Sequence, residues 1–305
     1  MNMASVHIPV MLNEVIDLLQ AKQEGVYLDC TLGGGGHSRA ILLANEKNIL
    51  YAIDRDQSAI ERATNLTEEF PNRFFCYNSS FADLETLLSN LRFDGILADL
   101  GFSSDQLESK KGFSINDDVE LDMRMDLSQE NTAYNVVNNY SASDLRRVLK
   151  RGGVRFGVNY LIAEIIKNRP INTAKELSEI IVKSVRTDKH KKSHPAIIVF
   201  QAIRIEVNEE FDQIEKLLQV APKLAKENCR FVVISFHSLE DQLITSQMRT
   251  WSRGDTIPAL WKGNNLKFKQ SLGVLVNKEA LVTSDEEVLT NSRSRSARLR
   301  SFIFH

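Results

Sequence analysis

The chain has 305 residues, of which 43% are hydrophobic and 26% charged, and its formal net charge is −2. This length favours two domains over a single core, and the composition excludes collagen-like, low-complexity and disulfide-rich proteins. No apolar run reaches the roughly 18–20 residues of a membrane span, and three scattered cysteines indicate a reducing, cytoplasmic compartment without a membrane partner.

Short apolar runs alternate with helical patterns over the first hundred residues. We expect strands at 26–31, 49–53, 73–77 and 95–99, separated by helices at 37–44, 58–66 and 84–91. Apolar strands that alternate with helices are typical of a parallel sheet covered on both faces. The sequence therefore predicts a Rossmann-like α/β core.

The alternation stops after about residue 108. Helical patterns follow at 142–149, 160–167, 174–185 and 199–207, and then a helix at 213–226 leads into a buried strand at 230–235. Near the end we expect a loop at 251–272 and closing strands at 280–283 and 300–304. This order predicts a helical domain, 108–211, inserted into a core formed by 1–107 and 212–305.

Positive charge is concentrated in two stretches. Residues 141–200 contain 13 Lys/Arg and 5 Asp/Glu, and residues 291–300 contain four arginines and no acid. Such asymmetry is typical of a basic contact surface that binds phosphates, although solvated helices without a partner explain it as well.

Four consecutive glycines, 33–36, follow the first predicted strand. Glycines at this turn let the backbone approach a ligand closely, whereas a flexible surface loop is the structural alternative. The pattern does not satisfy G-x-G-x-x-G, and Asp29 before it would repel a pyrophosphate but attract the cationic end of S-adenosylmethionine. We therefore expect S-adenosylmethionine in preference to NAD, and a nucleotide-dependent oxidoreductase remains the weaker alternative.

Two further aspartates follow predicted strands. Asp54 lies 19 residues after Gly35, where Rossmann-like folds place an acid that accepts hydrogen bonds from ribose hydroxyls. Asp99 ends the fourth strand, beside the crevice in which such sheets bind ligands. An ordinary loop aspartate is the alternative for Asp54.

Several blocks together resemble one family, the bacterial 16S ribosomal RNA cytosine-N4 methyltransferases of the MraW type. The resemblance covers nearly the whole chain, and its most specific blocks are Gly-Gly-Gly-His-Ser (34–38), Asp-Leu-Gly-Phe-Ser-Ser (99–104), Leu-Asp-Met-Arg-Met-Asp (121–126), His-Pro-Ala (194–196), Phe-Gln-Ala-Ile-Arg-Ile-Glu-Val-Asn (200–208) and Ser-Phe-His-Ser-Leu-Glu-Asp (235–241). It implies a class I methyltransferase core with an inserted helical domain, S-adenosyl-L-methionine as cofactor, and 16S ribosomal RNA of the small subunit as partner.

The resemblance also implies which residues bind the cofactor: Gly34, Gly35, Gly36, His37, Asp54, Phe81, Asp99 and Gln106. Two of these have a simpler explanation from the sequence alone. Phe81 is equally explained as a core aromatic, and His37 as a residue that begins a helix.

Transfer to a cytosine N4 requires a group that accepts a proton from a weakly nucleophilic nitrogen. Asp99 is our first choice, with a role in holding the cofactor alone as the alternative. Asp122 and Arg124 come next, with an internal salt bridge as their alternative. His194 and His237 are candidates for the substrate cleft, or are capping or packing residues. We expect no metal site, because His190 and His194 lie near lysines without accompanying cysteines or clustered acids.

This chain departs from the family pattern at several positions. Gly34 replaces an arginine, Gly153 and Val154 replace two glutamates, Ile197 and Ile198 replace Thr-Arg, Gln242 replaces an arginine, and Asp105 replaces a proline. These changes motivate an alternative function, a divergent paralogue that binds cofactor and RNA or ribosome precursors with little or no methyl transfer. The sequence also leaves open whether the protein is a monomer or a homodimer.

Overall fold

A computed structural model describes residues 9–100, 111–155, 157–184, 194–253 and 270–305. The chain divides into two compact units. Unit 1 comprises Met1–Gly101 and Asp212–His305, and unit 2 comprises Phe102–Phe211. Each unit has its own cluster of buried apolar side chains.

Unit 1 is built on one eight-stranded sheet. Its strands are β1 (Val26–Asp29), β2 (Ile49–Asp54), β3 (Phe74–Asn78), β4 (Phe93–Asp99), β5 (Ala225–Ser235), β6 (Gly273–Leu275), β7 (Leu281–Val282) and β8 (Arg298–Phe304). The order is β3-β2-β1-β4-β5-β8-β6, with β7 also paired to β8. Strands β1 to β5 are mutually parallel, and β8 is antiparallel to its neighbours. This confirms the predicted Rossmann-like class I methyltransferase core, whose strand order reverses between β1 and β4.

Helices follow the strands of unit 1. They are α1 (Leu12–Leu19), α2 (Gly36–Ala44), α3 (Gln57–Arg62), α4 (Thr64–Glu69) and α5 (Leu84–Leu87) before the second unit, and α12 (Ser238–Arg253), α13 (Asp285–Thr290) and a short 3₁₀ helix (Ser292–Ser296) after it. The helix expected at 58–66 is two helices that meet at Ala63. The loop expected from Trp251 is wrong at its start, because Trp251 is 3% exposed and packs on Phe231 and Phe302 in the last turn of α12.

The described part of unit 2 is helical. It contains α6 (Ala133–Asn139), α7 (Ala142–Arg151), α8 (Val158–Lys167), α9 (Ala174–Ser184) and α10 (Ala196–Val207), and α11 (Glu210–Leu224) begins at its end. Buried side chains of α6 to α10, most of them leucine, isoleucine and valine, form its core. The sequence missed α6, a short asparagine-rich helix whose first turn is capped by the Thr132 hydroxyl at 3.1 Å from the Asn135 nitrogen. Among the described helices of the chain, none combines the length and apolar character that crossing a membrane requires.

Candidate active site at the carboxyl edge of the sheet

Aspartates end three neighbouring parallel strands of unit 1. Asp29, Asp54 and Asp99 are the last residues of β1, β2 and β4, and β1 pairs with both of the others. Because the carboxyl ends of parallel strands meet at one edge of a sheet, these carboxylates lie along the same edge, at the point where the strand order reverses. Ligands of open α/β sheets bind at this position.

The glycine turn connects β1 to α2 over this edge. Gly33 and Gly35 have φ of 51° and 77°, a region that residues with a Cβ adopt at a cost. A Cβ on Gly35 would also lie 2.6 Å from the Cδ1 atom of Leu66. Gly34 is exposed and has no positive φ, so the conformation of the turn requires glycine at positions 33 and 35 but not at 34.

Asp54 holds this turn against β2. Its Oδ2 accepts a hydrogen bond from the Gly33 N–H at 2.8 Å, and its Oδ1 accepts one from the Asp56 N–H at 2.9 Å. Burial raises the pKa of Asp54, and these two hydrogen bonds only partly oppose that effect. Each carboxylate oxygen keeps a second lone pair that can accept a hydrogen bond from a ribose hydroxyl.

Asp29 has a different role from the one its sequence position suggested. It is 1% exposed, and its carboxylate accepts hydrogen bonds from the Ser38 hydroxyl at 2.7 Å and from the Thr31 N–H at 3.0 Å. Asp29 therefore stabilises the turn through hydrogen bonds from the protein side. Its carboxylate can interact with a ligand electrostatically but does not contact it directly. The Thr31 hydroxyl in turn accepts a hydrogen bond from the Asp99 N–H at 2.7 Å. Sequence reasoning did not single out Thr31 and Ser38, although Ser38 belongs to the Gly-Gly-Gly-His-Ser block.

His37 lies in the first turn of α2 and faces Asp99. Its Nε2 donates to the carbonyl oxygen of Val10 at 2.9 Å, and its Nδ1 lies 3.8 Å from Oδ2 of Asp99. The His37 and Asp99 side chains are 7% and 15% exposed. The structure thus brings Gly35, Gly36 and His37 together with Asp99, as the predicted site requires.

Phe81 and Gln106 complete the predicted cofactor set. Phe81 is 8% exposed and lies in the turn after β3, shortly after the Ser79 N–H that donates to the Asp54 carbonyl oxygen at 3.0 Å. This places Phe81 on the chain segment next to Asp54, on the same edge of the sheet. Gln106 and the family block from residue 101 onward lie outside the described residues.

Asp122 and Arg124 lie in unit 2 and bind each other. Arg124 Nε and Nη2 donate to the two carboxylate oxygens of Asp122 at 2.7 and 3.0 Å, and its Nη1 donates to the carbonyl oxygens of Leu127 and Gln129. Burial would raise the pKa of Asp122, but the hydrogen bonds and charge of Arg124 leave that pKa lowered. These contacts match the internal salt bridge that the sequence left open, and a catalytic role for the pair stays a prediction.

Both candidate substrate histidines contact the first turn of a helix. The Nδ1 atom of His194, an exposed residue, accepts a hydrogen bond from the Ala196 N–H at 3.3 Å before α10 in unit 2. In unit 1, His237 Nδ1 accepts from the Glu240 N–H at 3.3 Å, while the buried Glu240 carboxylate accepts from the Phe236 and His237 N–H groups. This reciprocal arrangement is a capping box for α12. Substrate binding by either histidine stays a prediction.

The arginine-rich C-terminal stretch is only partly a free basic surface. Arg300 is 8% exposed, and its guanidinium binds the Asp241 carboxylate at 2.8 and 3.0 Å. Arg298 contacts the same carboxylate at 3.4 Å. This pair neutralises a partly buried acid, so Arg298 and Arg300 add less free positive charge to the surface than the sequence count implies, whereas Arg295 is exposed.

The departures from the family pattern have local structural consequences in unit 2. Gly153 has a φ of 91°, and Val154 is 7% exposed within the apolar core. The two glutamates expected there are thus replaced by a backbone that suits glycine and by a core side chain. Ile197 and Ile198 are 49% and 40% exposed in the first turn of α10.

Comparison with known proteins gives matches along the whole chain. The family model described as the MraW methylase family matches residues 4–304. A protein of Mycoplasmopsis synoviae (strain 53) named ribosomal RNA small subunit methyltransferase H is 43% identical over 299 residues, which cover 96% of each chain. The protein of the same name from Nautilia profundicola is 42% identical over 306 residues, covering 98% of this chain and 97% of its own. Among solved structures, the chain is similar to an rRNA methylase from Streptococcus thermophilus, with 10% sequence identity and a TM-score of 0.41. The match covers 98% of this chain and 99% of that one.

Proposed function

Because the chain belongs to the MraW methylase family and is therefore an S-adenosylmethionine-dependent methyltransferase, we propose that it methylates the exocyclic N4 nitrogen of a cytosine in 16S ribosomal RNA. The observation that carries this proposal is the meeting of the glycine turn, His37 and the strand-end aspartates at one edge of the sheet. The names of the relatives support small-subunit ribosomal RNA as the substrate.

The residues at this edge fit S-adenosylmethionine. A Cβ on Gly35 would collide with Leu66, so the close packing of the turn against the core of unit 1 requires glycine at this position. Asp54 offers carboxylate oxygens to ribose hydroxyls, and the buried charge of Asp29 favours a cationic ligand over a pyrophosphate. When bound, S-adenosylmethionine supplies an electrophilic methyl group on a sulfonium.

Asp99 is the residue best placed to assist the nucleophile. The lone pair of a cytosine N4 is conjugated with the ring, so a carboxylate that accepts its proton makes the nitrogen more nucleophilic. Thr31 holds the backbone of Asp99, and His37, anchored on Val10, lies 3.8 Å from its carboxylate. These contacts restrict the orientation of Asp99 and supply positioning, which accounts for much of the acceleration in transfer reactions.

Methyl transfer to small ribosomal subunits that lack the modification tests the proposal. We expect purified protein to move a radiolabelled methyl group from S-adenosylmethionine into the 16S RNA of such subunits, and not into subunits already modified. Binding of S-adenosylmethionine without incorporation of the labelled methyl group into 16S RNA would refute the proposed enzymatic activity.

That outcome is what the second candidate function predicts. Gly153 and the buried Val154 remove both carboxylates that the family pattern has at these positions, and this observation favours a paralogue that binds cofactor and RNA without turnover. The same assay therefore distinguishes the two functions, provided that cofactor binding is measured in parallel.

A further inference from the structure

A polar groove of about 550 Å³ runs along α12 in unit 1. Its floor is a stripe of side chains spaced three or four residues apart: Ser238, Gln242, Ser246, Arg249 and Arg253. This spacing puts them on one face of the helix, over about 22 Å at 1.5 Å per residue. The stripe contains hydroxyl, amide and guanidinium groups but no large apolar side chain.

A buried hydroxyl in the wall of the groove lacks a protein partner. Thr245 is 7% exposed and lines the groove, and its Oγ1 has no hydrogen-bond partner among the described residues. A buried hydroxyl without a partner destabilises the fold unless a ligand satisfies it. This observation is independent of the charges in the groove and points to a ligand that accepts or donates hydrogen bonds.

The charge of the groove favours an anionic ligand. Asp241, its acidic lining residue, is already paired with Arg300, which leaves Arg249 and Arg253 as exposed cations. These two arginines lie one turn apart, about 6 Å along the helix axis, so they can contact successive charges of a polyanion. Arginine and hydroxyl side chains are the usual partners of phosphate oxygens.

We propose that this groove binds the phosphate backbone of a single-stranded segment of the RNA substrate. The groove opens at Ser238, directly after β5, and β5 pairs with β4 so that Ile234 lies opposite Asp99. An RNA strand in the groove therefore continues to the edge of the sheet that carries the methyl-transfer site. The family pattern has an arginine where Gln242 stands, and in this chain Arg249 and Arg253 supply cations farther along the same face. The inference rests on the proposed function, because it assigns a contact surface for the same substrate.

Removal of the two cations is the main test. The probe is a short fluorescein-labelled single-stranded RNA of mixed sequence, titrated with full-length protein at several salt concentrations. We expect the double variant R249A/R253A to bind about tenfold more weakly, with a slope of log K against log salt shallower by about 1.4, since each phosphate contact on a single strand contributes about 0.7. The matched control is R62A/R92A, which removes two exposed arginines elsewhere in unit 1 and should leave both quantities near the wild-type values.

Two further variants test the groove itself. Thr245→Val removes the hydroxyl without changing the volume greatly, and should weaken RNA binding while leaving the melting temperature equal or higher. Gln242→Arg adds a cation in the groove and should tighten binding, whereas Gln219→Arg, an exposed glutamine of α11, serves as the control for added charge.

The outcomes separate this proposal from the proposed function. Three outcomes would overturn the groove without affecting methyl transfer by the wild-type protein. They are an RNA affinity and salt slope in R249A/R253A equal to those of the wild type, a loss of RNA affinity in R62A/R92A as large as in R249A/R253A, and an unchanged RNA affinity in Thr245→Val. Failure of the wild-type protein to bind the RNA probe would overturn the groove, whereas the proposed function is decided separately by methyl transfer to small ribosomal subunits. Weaker binding confined to the groove variants, with unchanged S-adenosylmethionine affinity, supports the groove.

Discussion

At the scale of single residues, the turn between β1 and α2 depends on two glycines. Gly33 and Gly35 adopt positive φ, and Gly33 donates the hydrogen bond that Asp54 accepts. The conformation of the turn and the position of Asp54 are thus coupled, so we expect a change in either to affect the proposed cofactor site.

We predict that Gly35→Ala destabilises the protein by about 2 kcal/mol or more, because a Cβ adds the cost of positive φ to a collision with Leu66. It should also weaken S-adenosylmethionine binding. Gly34→Ala is the matched control, since Gly34 is exposed without positive φ, and it should change the free energy of unfolding by less than about 0.5 kcal/mol. Urea denaturation measures the free energy of unfolding of both variants. An equal loss in Gly35→Ala and Gly34→Ala would contradict this description of the turn.

A substitution of Asp99 distinguishes two roles for this residue, acceptance of the proton from N4 and contact with the cofactor. We predict that Asp99→Asn lowers the rate of methyl transfer about 100-fold, because the amide cannot accept the proton from N4. The dissociation constant of S-adenosylmethionine should change much less. Asp17→Asn, an exposed position on α1, controls for loss of one carboxylate. An unchanged rate at saturating cofactor, with weaker cofactor binding, would assign Asp99 to cofactor binding alone.

Some of these residues were accessible from the sequence and others were not. Asp54 and Asp99 follow recognisable strands, so their common edge follows from the rules of parallel sheets. Thr31, Ser38 and the burial of Asp29 depend on side-chain contacts between separate segments, which spacing does not encode. For Asp122 and Arg124 the sequence leaves a catalytic pair and a salt bridge as alternatives, because the contacts of Arg124 with the carbonyl oxygens of Leu127 and Gln129 depend on a backbone conformation that residue spacing does not encode.

At the scale of elements, the pairing of α12 with β8 is electrostatic as well as apolar. Asp241 on α12 binds Arg300 on β8, and both side chains are about nine-tenths buried. Burial would raise the pKa of Asp241, but the hydrogen bonds and charges of Arg300 and Arg298 leave that pKa lowered.

This lowered pKa predicts a pH dependence. The stabilisation by the Asp241 carboxylate is fully present above its unfolded-state pKa of about 4 and is lost as the pH falls through the lower folded-state value. We expect Asp241→Asn to reduce the free energy of unfolding by about 3 kcal/mol at neutral pH, because Arg300 is left buried without its counter-charge. The difference from wild type should shrink below about pH 4. A difference independent of pH, measured by urea denaturation, would contradict the ion pair.

Gly152 fixes the approach of α7 to α10 in unit 2. A Cβ on this residue would lie 2.2 Å from the Cβ of Ala202. We predict that Gly152→Ala reduces the free energy of unfolding by about 1–3 kcal/mol through overpacking. The double variant Gly152→Ala/Ala202→Gly removes the opposing Cβ and should recover part of that loss, less the cost of glycine within a helix. No recovery in the double variant would show that the contact is not the cause.

Long apolar patterns predicted the elements better than short or mixed ones did. The strands of the parallel sheet and the helices α7 to α10 follow from continuous or periodic apolar residues. The sequence does not predict α6, because asparagine has a low helix propensity and the helix depends on a threonine cap. It does not predict β6, because three residues are too few to show a periodicity. The sequence predicts a loop from Trp251 onward because the end of α12 is stabilised by aromatic packing on the sheet and not by an apolar pattern of its own.

At the scale of the whole molecule, the chain joins a methyltransferase core to a helical unit with a separate apolar core. The predicted cofactor residues that the structure describes belong to the first unit, and the basic stretch of 141–200 belongs to the second. Within that stretch the Arg169 guanidinium donates to the carbonyl oxygens of Val137 and Tyr140. Charge counts alone therefore overstate the basic surface, since part of the charge serves the interior of the unit.

The chemical identity of the methylated nucleoside decides whether the protein acts on the N4 nitrogen of cytosine. After incubation of the protein with S-adenosylmethionine and small ribosomal subunits that lack the modification, the 16S RNA is digested to nucleosides and examined by mass spectrometry. We predict the appearance of N4-methylcytidine, dependent on active protein and strongly reduced with Asp99→Asn. A methylated nucleoside other than N4-methylcytidine, or none despite bound cofactor, would contradict the account.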